Sequence, residues 1–366
     1  MSKQARWRTV PIISFFAAEW QLWRKEQTKP CYGLVSIADD DSGLLPYPVD
    51  MAALLALPHG TLDNAGVPYN ASTGLYPAAY HPTTIAQYGL ANWNAYLVTK
   101  DERHRQALMK QARWLAAHQV LLAGDAGGWP MPFSVSDYNA SAPWLSALTQ
   151  GNAVSVLVRA YRLTHEEVFL QVARRAMRTF ELDIRDGGVS TSIGEDGVFF
   201  EEFAVYPASH VLNGYILALF GLYDYADLTG DTRVAALIRR SLATLHILIE
   251  RYDTGYWSRY DLFYTLPASR FYHALHITLL EALAQYSGCA HCAALAARWA
   301  GYKYRPSYHI AGRLARGRRK LRRVGIRGVF FGKSRAEGQT ARGSVRAPLT
   351  APPVARLGSA DREIRG

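Results

Sequence analysis

The sequence predicts a mainly α-helical fold, an incomplete or complete αα-toroid of antiparallel helical hairpins with small β-hairpins at its mouth. Its first support is a repeat of three similar segments, which begin at Tyr96, Tyr161 and Tyr225. Each segment ends one helix, turns through a threonine with acidic neighbours, and starts a second helix. Its second support is the long connections between hairpins, where glycine-rich turns are flanked by alternating strand-like residues. Such two-helix units close into a ring or a partial ring, and we expect the site in its concave mouth.

The helical elements follow from the spacing of apolar residues. The first helix of each hairpin has apolar residues at positions i, i+3 and i+4, in segments that begin at Thr83, Leu148, Ser209 and His273. The second helices carry alanine, leucine and arginine at helical spacing, and a weaker fourth copy starts near Tyr286. Thr164 followed by Glu167 matches a capping box and predicts a helix start at that point.

The domain organisation follows from changes in composition along the chain. Residues 124–144 and 185–207 contain the glycine-rich turns of the predicted hairpins, whereas residues before about 50 are less regular. We therefore expect an N-terminal arm at residues 1–44, one domain at 45–305, and a basic, largely disordered tail at 306–366.

The basic charge of the chain belongs to the tail. Residues 311–366 hold 15 Lys and Arg against 3 Asp and Glu, a net charge of +12, which leaves −1 for the other 310 residues of this +11 chain. The folded body therefore lacks the basic surface of a nucleic-acid-binding domain, and we expect no specific nucleic acid partner. Two interpretations of the tail stay open. Its composition favours a solvated extension, and residues 313–323 alternatively form a basic helix that contacts the membrane surface or another polyanion.

Three cysteines, Cys31, Cys289 and Cys292, are too few for a disulfide framework. The run CAHC at residues 289–292 has the spacing of half a zinc site, but no second ligand pair follows it, so we expect small cysteines at a helix start and no metal site. The N-terminal apolar run VPIISFFAAEWQLW is too short to span a bilayer and lacks a small-residue cleavage site. These features predict a cytoplasmic protein, with a peripheral position at the inner membrane as an open alternative.

Several sequence motifs occur together in a specific order. They are IAQYGL at 85–90, GGWP at 127–130, QGNAVSVLVRAYRLT at 150–164, EEFAVYPASHVLNGYILALFGLYDY from Glu201, and YDTGYWSRYDL from Tyr252. In this order they resemble the C-terminal catalytic domain of the D-glucuronyl C5-epimerases, over about residues 60–305. The resemblance implies that residues 45–305 form a catalytic domain that inverts C5 of glucuronate to give iduronate in a heparosan-like polymer. It also implies that no nucleotide cofactor takes part.

The resemblance implies three catalytic residues, Tyr260, Tyr272 and Glu202. Inversion requires a proton to leave one face of the sugar and another to arrive on the opposite face, and a neutral phenol suits the donating face. A carboxylate, or a tyrosinate beside arginine, suits the base. The enolate-like dianion also requires positive charge or strong hydrogen bonds at the substrate carboxylate.

This chain departs from the family pattern at two positions. The family motif EEYP reads EEFAVYP here, so its tyrosine falls on Phe203, and we expect Tyr206 to supply a replacement hydroxyl. The arginine that the family places three residues after its first tyrosine is Phe263 here, so Arg259 or Arg270 would take over the carboxylate contact.

Other residues in the matching segments are candidates for sugar binding. Gln87, Tyr88, Gln150 and Asn213 lie near helix starts, where they bind sugar hydroxyls or instead satisfy buried backbone groups. Trp129 of GGWP stacks on a sugar face or else anchors a hairpin. The expected partner is an acidic polysaccharide, and a homodimer stays open.

Two alternative functions fit the same residues. A polysaccharide lyase forms the same C5 carbanion and then expels the 4-O substituent. A catalytically silent glycan-binding protein is the other alternative, because Phe203 and Phe263 replace two residues of the family pattern.

Overall fold

The computed structural model describes residues 32–35, 45–57, 60–73 and 77–302. Within these ranges the chain forms four antiparallel helical hairpins. Their helices are α1 (Pro82–Thr99), α2 (Glu102–Ala117), α3 (Ala147–Thr164), α4 (Glu167–Glu181), α5 (Leu212–Thr229), α6 (Thr232–Leu248), α7 (Arg270–Ser287) and α8 (Ala290–Tyr302). The predicted mainly α-helical class is confirmed.

Short β-hairpins occupy the connections. The described strands pair as antiparallel ribbons: β1 (Gly33–Leu34) with β2 (Val49–Asp50), β3 (Gly60–Leu62) with β4 (Pro68–Asn70), β5 (Val120–Leu121) with β6 (Gly127–Gly128), and β7 (Ser190–Ile193) with β8 (Gly197–Phe200). The β5–β6 and β7–β8 ribbons lie in the two connections where the sequence predicts hairpins.

The odd-numbered helices form the inner layer of the toroid. α1 packs on α3, α3 on α5, and α5 on α7, and each is backed by its own even-numbered partner. α3 and α5 approach each other closely, because a Cβ atom at Gly151 would lie 2.6 Å from the Cα atom of Ala218. Gly221 approaches the backbone of Gly151 equally closely. Glycine at these positions therefore lets two buried helices meet backbone to backbone.

The turn inside each of the first three hairpins repeats in detail. Thr99, Thr164 and Thr229 each donate a side-chain hydrogen bond to the carbonyl four residues earlier, and each hydroxyl accepts one from the backbone two residues later. The intervening residue has a left-handed conformation. The predicted capping box at Thr164 is therefore wrong, because Thr164 ends α3 and Glu166 is the N-cap of α4.

The N-terminal segment lies between the last and first inner helices. β1 and β2 pack on α7, and the Thr278 hydroxyl donates to the carbonyl of Tyr32 at 3.0 Å. Asn94 of α1 bonds both the N–H and the carbonyl of Tyr47, whose hydroxyl donates to Asn152 of α3 at 3.0 Å. The described part of this segment thus bridges α7 and α1.

All four inner helices run in the same direction, so their N-terminal ends meet at one mouth. The opposite end holds a buried ion pair, in which Arg159 Nη1 of α3 lies 2.6 Å from Asp224 Oδ2 of α5. Among the described residues, every helix is too short or too polar to cross a membrane. The predicted N-terminal arm lies largely outside the described residues, and the predicted basic tail lies wholly outside them.

Candidate active site

A second apolar cluster, separate from the main core, forms the floor of the mouth. Its buried members are Met131, Phe133, Ala140, Trp144, Phe203 and Val211, with Tyr138 and Tyr260 packed against them. These residues come from three connections, at 124–146, 201–211 and 253–269. Because these three connections pack on one another, the side chains that they carry have fixed positions relative to the inner helices.

Glu202 is the central ionisable group of the mouth. Its Oε2 accepts a hydrogen bond from the Asn213 amide at 2.9 Å, and its Oε1 accepts one from the Tyr260 hydroxyl at 3.2 Å. A Cβ atom at Gly214 would lie 2.5 Å from the Glu202 side chain, so glycine lets the carboxylate rest on the start of α5. Burial raises the pKa of Glu202 from 4.5 to about 7, although the hydrogen bonds from Tyr260 and Asn213 oppose the rise.

Tyr260 and Tyr272 meet next to this carboxylate. Their ring centroids are 4.6 Å apart in an edge-to-face arrangement. Burial, followed by the nearby Glu202 charge, raises the pKa of Tyr260 well above 10, so its phenol is protonated at neutral pH. Tyr272 lies in the first turn of α7, where its N–H binds the hydroxyl of the N-cap residue Ser269 at 3.3 Å. The fold thus brings the three residues expected to be catalytic into one group.

The 253–269 connection, which carries Tyr260, is anchored to α7. The buried Ser258 hydroxyl lies 2.8 Å from His273 Nδ1 and 2.9 Å from His276 Nδ1. Trp257 stacks on the His273 ring at 3.7 Å. Burial lowers the pKa of His276 to about 3, so this histidine is a neutral core residue.

Glu201 holds the neighbouring loop in shape. It is fully buried, and its Oε2 accepts hydrogen bonds from the backbone of Ser209 at 3.2 Å and of His210 at 2.9 Å. Its Oε1 accepts one from the Thr191 hydroxyl at 2.8 Å. The two adjacent glutamates therefore differ in role, because Glu201 positions the backbone while Glu202 faces Tyr260.

Tyr138 and Asp261 also belong to the site, and the sequence analysis did not identify either residue. The Tyr138 hydroxyl donates to Asp261 Oδ2 at 2.7 Å, and the Tyr138 ring stacks on Phe203 at 4.2 Å. Burial raises the pKa of Tyr138, with nearby Asp261 and Glu202 adding to the rise. The only sequence signal was the position of Asp261 directly after Tyr260, since Tyr138 lies in a different connection.

The candidate sugar-binding residues differ in their burial and in their hydrogen-bond partners. Gln150 and Asn213 are buried at the mouth end of α3 and α5, and both amide atoms of Gln150 lack a hydrogen-bond partner within the described residues, as does Asn213 Oδ1. Gln87 is half-buried and Tyr88 is buried along α1. Trp129 is buried and its indole N–H donates to the Leu115 carbonyl at 2.8 Å, which makes it a hairpin anchor.

The two arginines have different surroundings. The Arg259 guanidinium donates to the backbone carbonyls of Arg251 and Asp253, so it braces the start of the 253–269 connection. Arg270 is half-buried at the first position of α7 and has no ion-pair partner among the described residues. Phe263, at the position of the family arginine, is 41% exposed and packs against Tyr264.

Tyr206 does not join the Glu202 group. Its side chain is 78% exposed and lies near Arg185, in the turn before β7. The phenol that stacks on the ring of Phe203 is Tyr138, from the 124–146 connection.

A cluster of possible metal ligands lies outside this site. Cys289 immediately precedes α8 and Cys292 lies in its first turn, as expected. The structure joins the two cysteines in a disulfide. The fold also brings His246 of α6 to them, a ligand that sequence spacing did not reveal. Cys31 lies outside the described residues.

Comparison with known proteins agrees with the geometry. Residues 123–301 match the family model described as the C-terminus of D-glucuronyl C5-epimerase. The D-glucuronyl C5-epimerase of Caenorhabditis elegans is 33% identical over 232 residues, which is 57% of this chain and 36% of the relative. An uncharacterized protein of Methanocaldococcus jannaschii is 30% identical over 136 residues, which is 36% of this chain and 44% of that protein.

A family 76 glycoside hydrolase from a Bacteroides thetaiotaomicron strain is a similar solved structure, with a TM-score of 0.43 and 12% identity over 64% of this chain and 50% of that one. The chain spans 36% and 44% of the length of the curated relatives it matches. Glu202, Tyr260 and Tyr272 all lie inside the matched region of 123–301. Residues 123–301 are therefore similar to the C-terminal region of the D-glucuronyl C5-epimerase family.

Proposed function

We propose that this protein is a uronate C5-epimerase that converts D-glucuronate to L-iduronate within an acidic, heparosan-like polysaccharide. The observation that carries the proposal is the group of Glu202, Tyr260 and Tyr272, in which a carboxylate of raised pKa is bonded to one phenol and a second phenol packs on the first. This group combines a base and a proton donor at the mouth of the toroid, which three separate loops form.

Glu202 is the proposed base. With a pKa of about 7, a substantial fraction of its side chain is ionised at neutral pH, and the carboxylate is a stronger base than an ordinary glutamate. The C5–H bond breaks, the proton moves to a Glu202 oxygen, and the electron pair spreads into the substrate carboxylate as an enolate-like dianion. Asn213 and the N–H of Gly214 hold the carboxylate in place during this transfer.

Tyr272 is the proposed proton donor on the opposite face of the sugar, because Tyr260 is hydrogen-bonded to Glu202 and so lies on the side of the base. Delivery of the Tyr272 proton to C5 completes the inversion and leaves a phenolate at Tyr272 and a protonated Glu202. Tyr260, bonded to Glu202 at 3.2 Å and packed against Tyr272, then relays the proton from Glu202 to Tyr272 and restores the starting state. The partial solvent exposure of Glu202 allows its proton to exchange with water between turnovers.

The substrate carboxylate is proposed to bind near the start of α7. Arg270 supplies a guanidinium that the described structure leaves without an ion-pair partner. The converging N-terminal ends of α3, α5 and α7 add partial positive charge to the same mouth. Together they oppose the negative charge that develops on the enolate-like intermediate.

Incubation with glucuronate polymers in deuterated water tests the proposal. Deuterium should appear at C5, together with iduronate, for at least one of heparosan, its N-deacetylated or N-sulfated forms, and chondroitin. Tyr260→Phe, Tyr272→Phe and Glu202→Gln should each lower the rate by roughly 100-fold or more. Tyr161→Phe is the matched control, because its hydroxyl lies at the far end of α3 bonded to Glu167.

Other outcomes would assign a different function. An unsaturated uronate chromophore with shorter chains would identify a lyase, because the same carbanion then expels the 4-O substituent. Glycan binding by calorimetry without C5 exchange would identify a silent binding protein. In that case the double change Phe203→Tyr and Phe263→Arg, which restores both family residues, should create measurable exchange; continued absence of exchange would exclude those two positions as the cause.

A further inference from the structure

The fourth helical hairpin differs from the others at its turn. Before α2 and α6, Asp101 and Asp231 cap the helix by accepting a backbone hydrogen bond at 2.9 Å. The equivalent position before α8 follows the left-handed Gly288 and is Cys289. Its Sγ accepts the N–H of Cys292 at 3.0 Å. A sulfur atom thus replaces the repeated carboxylate at a helix N-terminus, an environment that stabilises a thiolate.

A third donor reaches this sulfur from the previous hairpin. His246, in the last turn of α6, places Nε2 3.0 Å from Cys289 Sγ. The ligand atoms of His246, Cys289 and Cys292 all lie within 4.8 Å of one another. Cys292 is buried while His246 is exposed, so the cluster is shielded by the protein on one side and open to solvent on the other.

The open side is bordered by a further imidazole. The His291 ring centroid is 5.8 Å from that of His246, and His291 Nε2 lies 3.5 Å from Glu250 Oε1. Glu250 is also paired with Arg298 at 2.8 Å. A carboxylate that is fixed in this way orients an imidazole, as in the outer ligand shells of metal sites.

We propose that the dithiol form of Cys289 and Cys292, together with His246, binds a zinc-class divalent metal ion. Two thiolates and one imidazole are a common donor set for Zn²⁺, with bond lengths of about 2.3 Å to sulfur and about 2.0 Å to nitrogen. His291 or water fills the fourth position. Each thiol loses its proton to solvent as its bond to the metal forms.

The disulfide and the metal are mutually exclusive states of the same cysteines. In the structure the two sulfur atoms are bonded to each other, and a two-electron thiol or phosphine reductant with two protons converts them to the two thiols that the metal requires. Bound metal would join the end of α6 to the start of α8, on the outer layer of the toroid. The site is thus independent of the Glu202 group and of the proposed epimerase activity.

Cobalt titration of the full chain tests this site. The protein is reduced with a phosphine, freed of metal with a chelator, and titrated with Co²⁺. We expect one ion per chain, with thiolate-to-cobalt charge-transfer absorption and tetrahedral bands, displaced by Zn²⁺. Cys289→Ser and Cys292→Ser should abolish the charge-transfer band, and His246→Ala should weaken binding roughly tenfold or more.

His118→Ala is the matched control and should leave the titration unchanged, because His118 bonds the Trp114 carbonyl and does not belong to the cluster. Since His246 is exposed, its replacement should preserve folding, which circular dichroism checks. A reduced protein that binds no stoichiometric metal, or one whose signal survives Cys289→Ser, would overturn the assignment. A pair that only cycles between disulfide and dithiol would overturn it equally.

Discussion

Replacement of Glu202 by glutamine should stabilise the protein at alkaline pH while removing its proposed activity. Burial raises the pKa of Glu202 from 4.5 to about 7 in the folded protein. Between these pH values the folded chain holds a proton that the unfolded chain has released, so stability falls as pH rises through this window. At about 1.4 kcal/mol per pKa unit, the ionised carboxylate costs about 3 kcal/mol of folding free energy above pH 7.

Glutamine at position 202 removes this cost because it does not titrate. It still accepts the Tyr260 hydrogen bond, but its amide nitrogen replaces the oxygen that accepts from Asn213, which loses about 1 kcal/mol. We therefore expect a net gain of about 2 kcal/mol at pH 8 and a gain close to zero at pH 5. A residue that costs stability where it serves chemistry is typical of active sites.

Urea unfolding of wild type and Glu202→Gln at pH 5 and pH 8 measures this difference. Glu195→Gln, in the exposed β7–β8 turn, is the control and should show the same small effect at both pH values. An equal effect of Glu202→Gln at both pH values would refute the raised pKa. A net loss of stability at pH 8 would refute the desolvation of the carboxylate.

Further predictions concern charge. Asp224→Ala should lower the free energy of unfolding by about 3–5 kcal/mol in a urea titration, because it leaves Arg159 buried without its partner. Asp227→Ala, whose carboxylate is 59% exposed, should cost less than about 1 kcal/mol, and equal losses would contradict the burial argument. Arg270→Ala should raise KM for the polymer roughly tenfold, whereas Arg259→Ala should leave KM unchanged and lower thermal stability; the reverse result would exchange their assigned roles.

The sequence predicted the inner helices well because each repeats the same physical pattern. Thr99, Thr164 and Thr229 mark the same place in successive hairpins, and the apolar spacing before each of them gives a buried helix. The capping-box prediction failed at Thr164 because a threonine can end one helix as readily as it begins the next. Its hydroxyl binds the carbonyl of Ala160 in the helix before it.

The candidate site was only partly predictable. Glu202, Tyr260 and Tyr272 were accessible through family motifs, and the fold places them together. The bond between Tyr138 and Asp261 joins residues that are 123 positions apart, so no local pattern contains it. Long-range packing of three loops decides such contacts.

The orientation of side chains within loops was equally inaccessible. Arg259 and Arg270 both flank an expected catalytic tyrosine in the sequence, yet Arg259 binds backbone carbonyls while Arg270 begins a helix at the mouth. His246 lies 43 positions from Cys289, and the spacing of the cysteines gives no indication of it. Only the packing of α6 against the start of α8 brings these ligands together.

Proton NMR of a glucuronate polymer incubated with the protein in deuterated water is the decisive test of epimerisation at C5. The glucuronate H5 signal should decrease while iduronate signals appear without cleavage of the chain, and Glu202→Gln, folded and at equal concentration, should produce neither change. Full retention of H5 across the polymer series by the wild-type protein would contradict the proposed epimerase activity. Equal turnover by wild type and Glu202→Gln would contradict the role assigned to the carboxylate.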